Sequence, residues 1–102
     1  MTRKRIRKPT HPGYMFHHDV LESLGLSLTE TAQKLGVSRK HLSGFVNGRT
    51  RCNLDMAQRL AIATNTSIAS WINMQSALDI WEAENNPDPQ YLDVEHLENS
   101  AA

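Results

Sequence analysis

The chain has 102 residues, 39% of them hydrophobic and 22% charged, which is enough for one buried core and too little for two. Its formal net charge of zero conceals a polarity: residues 1–51 hold ten Lys or Arg against three acids, a balance of +7, while residues 52–102 hold one Arg against eight acids, a balance of −7. Cys52 is the only cysteine, excluding an intramolecular disulfide and a multi-cysteine zinc site, and no apolar run approaches the roughly 18 residues of a membrane span, so a cytoplasmic protein without membrane contact is expected.

Residues 1–10 are a basic arm carrying Arg3, Lys4, Arg5, Arg7 and Lys8 ahead of Pro9. Too few apolar groups are present to order it alone. It reads either as a flexible solvated tail or as a segment that follows DNA phosphates or a minor groove. His11-Pro12-Gly13 punctuates the chain. From Tyr14, the i, i+4, i+8 spacing of Phe16, Val20 and Leu24, with Leu21 beside them, predicts an amphipathic helix ended by Gly25.

Ser27 followed by Glu30 is a capping box that starts a second helix. Leu35-Gly36-Val37 ends it, because glycine enters the left-handed conformation without steric cost, and Ser38 is placed to cap a third. That spacing is helix-turn-helix spacing. On residues 38–47, Leu42, Phe45 and Val46 fall on one side. Lys40, Ser43, Gly44 and Asn47 fall on the other, with Arg39 and His41 flanking.

Two cations in the first turn oppose the helix macrodipole by about 0.3–1 kcal/mol each, and an interior glycine costs a further ~1 kcal/mol. Such choices gathered on one outward face point to a phosphate-rich partner. Arg39 and Lys40 are therefore the candidate base contacts, and Asn47, Arg49, Arg51 and the hydroxyl of Thr29 the candidate phosphate contacts. One such helix reads few bases, so a dimer on two half-sites of double-stranded DNA is expected.

Asn53 or Asp55 caps a fourth helix to about Thr64, with Ala57, Leu60 and Ala61 inward and Met56 nearby. A fifth helix runs from Ile68 to about Glu84 and carries Ile68, Trp71, Ile72, Leu78 and Trp81 on a broad apolar face. Trp71, Leu78 and Trp81 read as core or dimer contacts rather than a ligand cage. Asn86-Pro87-Asp88-Pro89 stops it, and residues 86–102 form an acidic tail. His17 and His18 are adjacent and diverge on a helix. No H-E-x-x-H, C-x-x-C, phosphate-binding glycine loop or nucleophile elbow occurs, so an enzyme, a metal, a cofactor and a small-molecule substrate are all unexpected.

The run L-S-L-T-E-T-A-Q-K-L-G-V-S-R-K-H-L-S-G-F-V-N-G-R resembles the Xre/Cro-type helix-turn-helix. Its flanks are more specific: H-P-G at 11–13, M-A-Q-R-L-A at 56–61, and the W-x-x-x-Q-x-x-x-D segment of Trp71, Gln75 and Asp79 resemble the HigA/VapI family of plasmid-maintenance antitoxins. The resemblance covers roughly residues 11–84. It implies an all-α, five-helix, lambda repressor-like domain over residues 11–85 that dimerises and represses its own operon from operator DNA, with base-reading positions at Arg39, Lys40, Ser43 and Gly44 and phosphate positions at Thr29, Asn47, Arg49 and Arg51. It also implies a toxin partner, a HigB ribonuclease of the RelE type; an Xre-type regulator without a toxin is the alternative. Two departures stand out: Leu28 replaces a Gln common in related repressors, and Thr31 places a hydroxyl where an apolar group would pack.

Overall fold

The computed structural model describes residues 7–98. A helix starts at Pro12, with α1 (Pro12–Phe16), a π-helical turn (His17–Leu21) and α2 (Glu22–Leu24) following one another in right-handed helical conformation, and it stops at Gly25 in the left-handed conformation at φ 65°. Four more helices follow: α3 (Leu28–Leu35), α4 (Arg39–Val46), α5 (Leu54–Thr64) and α6 (Ile68–Asn85). The chain is thus five helical rods with no strand among the described residues. A short 3₁₀ turn, Pro89–Asp93, lies in the acidic tail, where Tyr91, Leu92, Val94 and Leu97 are exposed. Among the described residues, no helix is long and apolar enough to cross a membrane.

Helices α3 and α4 pack against each other, α3 also meets α5, α5 lies along α6, and the first helix crosses α4 and α6. The core is where these faces meet: Leu42, Phe45, Met56, Ala57 and Leu60 are fully buried, and Phe16 stands edge-on to Trp71 with ring centroids 6.1 Å apart. Each expected inward residue of α4 and α5 is buried.

The first helix departs from its expected register. Leu24 is 66% exposed, and the buried pair is Phe16 and Leu21, five residues apart. The π turn is the reason: it inserts one residue per turn, so i and i+5 share the inner face that i and i+4 would share in an α-helix. Ile68, also expected inside, is 42% exposed because it begins α6 at its open end, whereas Gln75 is buried. Asn53, not Asp55, caps α5 by accepting from Met56 N–H; Asp55 instead pairs with Arg59 one turn on, at 3.0 Å. The Thr31 hydroxyl is buried at no loss, since it donates to the Ser27 carbonyl at 2.8 Å.

Two flanking motifs clamp the end of α4. His11 caps α1 with Nδ1, which accepts from Gly13 N–H at 2.9 Å, and its ring meets Phe45 edge-on. Gly13 lies so close to α4 that a Cβ there would sit 1.8 Å from the Phe45 carbonyl oxygen. Tyr14 donates its hydroxyl to the Asn47 carbonyl at 3.3 Å. From the other side, the buried Gln75 accepts from Cys52 N–H at 2.7 Å and donates to Asp79 at 3.0 Å. Asp79 in turn accepts both arms of the Arg51 guanidinium, at 3.2 and 2.6 Å. Trp71, the first residue of the same motif, is core and donates to Thr66.

Gly13→Ala forces α1 away from α4 and should cost about 1–3 kcal/mol or more in urea denaturation. Gly25→Ala, with nothing within 4 Å of the added Cβ, should cost only the left-handed penalty of about 1–2 kcal/mol. Burial holds the His11 pKa below its ordinary 6.5, partly offset by a hydrogen bond to the Thr50 backbone. A neutral Nδ1 is also what the Gly13 bond requires. The folded protein therefore binds this proton less readily than the unfolded chain, so the contribution of His11 is complete above about pH 6.5 and is lost as pH falls toward its folded pKa. Thermal denaturation at pH 7.5 and 5.5 should show a smaller pH difference for His11→Asn, which keeps a capping acceptor, than for wild type.

Candidate nucleic-acid interface

The two central helices are built by their caps. Ser27 accepts from Glu30 N–H at 3.1 Å, and its hydroxyl meets the Glu30 carboxylate at 3.1 Å, so the glutamate returns to the serine side chain. At the far end of α3, Gly36 adopts φ 75°, and its N–H and that of Val37 both bond the Ala32 carbonyl. Arg59 closes this turn from α5 by donating to the Leu35 and Gly36 carbonyls at 3.0 and 3.2 Å. The one basic residue of the acidic half thus serves the turn, held by Asp55. Ser38 caps α4 by accepting from His41 N–H.

With Leu42, Phe45 and Val46 inward, α4 turns Arg39, Lys40, Ser43 and Gly44 outward. These four line one open depression of about 530 Å³, completed by Arg49 and Thr50 from the turn that follows. The first turn of α4 contains no acid, and neither Arg39 nor Lys40 has an ion-pair partner among the described residues. The rim is therefore a positive surface around a shallow floor.

The four expected base-reading residues are brought together. The expected phosphate residues are dispersed. Arg49 lies at the edge of the depression. Thr29 is exposed on the first turn of α3. Asn47 folds its amide back onto the Ser43 carbonyl at 2.8 Å. Arg51 is directed away toward α6, where its guanidinium holds the Asp79 carboxyl below the usual carboxylate range. Its neighbour Cys52 is buried, which pushes the thiol up to about 11.

Arg3, Lys4 and Arg5 lie outside the described residues. Arg7 is exposed, and Lys8 does not extend freely: it pairs with Glu82 at 2.9 Å and sits 5.8 Å from the centre of the Trp81 ring. Trp81 is half-buried beneath it, and Leu78 is buried. No group of three or more His, Cys, Asp or Glu among the described residues could hold a metal ion.

Sequence reasoning missed Thr50 and Arg59. Arg59 had a signal in its spacing, four residues after Asp55, but its partner carbonyls are distant in sequence. Thr50 had a weaker one, a small residue between two arginines. Gly44 has a neighbour that sequence could not supply: a Cβ there would meet the Thr50 hydroxyl at 2.7 Å.

The helix-turn-helix family (HTH_3) matches residues 18–71. An uncharacterized HTH-type transcriptional regulator of Escherichia coli K12, YbaQ, is 39% identical over 84 residues, 82% of this chain and 74% of that protein. Antitoxin HigA-1 of Vibrio cholerae is 32% identical over 83 residues, 81% of this chain and 78% of that protein. The solved structure of Pseudomonas aeruginosa antitoxin HigA with the higBA promoter superposes with a TM-score of 0.76 at 27% identity, covering 89% of this chain and 100% of that one. The chain belongs to the Xre-type helix-turn-helix family, within the group of relatives that holds HigA antitoxins and VapI-like proteins. Its fold and family are those of DNA-binding regulators rather than enzymes.

Proposed function

We propose that the protein is the antitoxin of a type II toxin–antitoxin pair, which binds the operator of its own operon as a dimer and neutralises a HigB/RelE-like ribonuclease. The observation that carries the DNA-binding part is the α4 surface. Two cations stand without acidic partners among the described residues at a helix N-terminus, where the dipole disfavours them, and they line a depression together with Ser43, Gly44, Arg49 and Thr50. Arg and Lys in that position can bond guanine O6 and N7 in the major groove, while Arg49 and Thr29 reach phosphates on either side. Two copies with their α4 helices about 34–36 Å apart would read a palindrome.

The antitoxin part is supported by 32% identity to Antitoxin HigA-1 along most of both chains. A regulator without a toxin is the second reading, favoured by the 39% identity to YbaQ. Co-expression with the product of the adjacent reading frame separates the two. A ribonuclease-like neighbour that arrests growth alone and co-purifies with this protein supports the antitoxin, and a neighbour with neither property supports the regulator.

Arg39→Ala with Lys40→Ala should abolish operator binding in a fluorescence anisotropy titration while circular dichroism stays unchanged. Arg49→Ala should instead weaken binding to all sequences about equally and reduce the slope of log K against log salt by about 1. Full specific affinity in the double variant would remove Arg39 and Lys40 as base contacts.

A further inference from the structure

We infer that Thr50, from the turn after α4, supplies the side chain that Gly44 lacks and is a specificity-determining residue of the DNA-reading face. This rests on the DNA-binding reading above. Of the four outward positions grouped on α4, Gly44 alone presents no side chain, and the space where its Cβ would begin is occupied from outside the helix. The Thr50 hydroxyl lies 2.7 Å and the Thr50 Cβ 3.8 Å from that point. Thr50 therefore lines the depression beside Gly44, half-buried as Ser43 and Gly44 are, whereas Arg39, Lys40 and Arg49 are exposed.

Its position is set by the backbone on both sides. Thr50 N–H bonds the Gly44 carbonyl at 3.2 Å, and Arg49 N–H bonds the same carbonyl at 2.8 Å. Two residues on, Cys52 N–H is held by Gln75. A β-branched side chain on so constrained a backbone has few rotamers available. It offers the groove a hydroxyl that can donate to or accept from a base edge, and a methyl that can meet the C5-methyl of thymine. A long flexible side chain grown from position 44 would have no such preorganisation. Glycine at 44 is then the condition for placing a threonine at 50.

The test uses the full-length protein, a duplex from upstream of its own reading frame and a scrambled duplex of equal length, with anisotropy measured at several salt concentrations. Thr50→Val is isosteric and removes only the hydroxyl; Thr50→Ser removes only the methyl. At least one should reduce the preference for operator over scrambled duplex about five-fold or more. The loss should be confined to one base pair per half-site on a panel of single-base substitutions, with scrambled-duplex affinity and salt slope unchanged. A uniform loss on both duplexes with a shallower salt slope would put Thr50 on a phosphate and overturn the inference. No change in either variant would leave Thr50 as packing for Gly44 and overturn it equally. If wild type shows no salt-dependent DNA binding, the DNA-binding reading itself fails and this one falls with it.

Discussion

The hydrogen bond from Cys52 N–H to the buried Gln75 side chain, 2.7 Å long, is the constraint from which much of the α4 geometry follows. Residues 47–52 leave α4 as an irregular segment, and irregular backbone carries donors and acceptors that need partners when buried. Here they come from both ends of the domain. Gln75 reaches in from α6, and the His11–Tyr14 segment closes from the other side through Phe45 and Asn47. An eight-residue helix is too short to be stable alone in water. Its orientation is therefore a tertiary property, set by the core packing of Leu42, Phe45 and Val46 along its inner face and by the clamp at its end.

The same clamp rearranges the charges. Along the sequence the basic and acidic halves are separate, but in space two acids of α6 hold two cations of the first half: Asp79 takes Arg51 and Glu82 takes Lys8. Both pairs are substantially exposed, so their value is orientation more than stability. Among the described residues Arg7, Lys34, Arg39, Lys40 and Arg49 have no ion-pair partner, and three of these, Arg39, Lys40 and Arg49, line the depression beside α4.

Much of this was legible in the sequence because it is local. Ser27, Ser38, Gly36 and the apolar period of α4 and α5 act within one turn of themselves, so caps and inner faces can be read from spacing. Placing Lys40, Ser43 and Gly44 on one outward face, with Arg39 flanking, needed only a helical wheel. What was not legible depends on partners far away in sequence. The ion-pair partner of Arg51 lies 28 residues on, and the neighbour of Gly44 is Thr50, brought to it by a turn that Gln75 holds from α6. The motifs at His11–Gly13 and Trp71–Asp79 announced kinship without a role; in space they are the two jaws that hold the end of α4.

The π turn in the first helix bears on how such chains should be aligned. It makes Phe16 and Leu21 the two inner anchors, five residues apart, where an ordinary turn would use four. A chain with one residue fewer between the Pro-Gly start and Gly25 could present the same two anchors on a regular α-helix. A one-residue difference in length at residues 17–21 can therefore be absorbed inside this helix, leaving the H-P-G jaw on the helix end it grips.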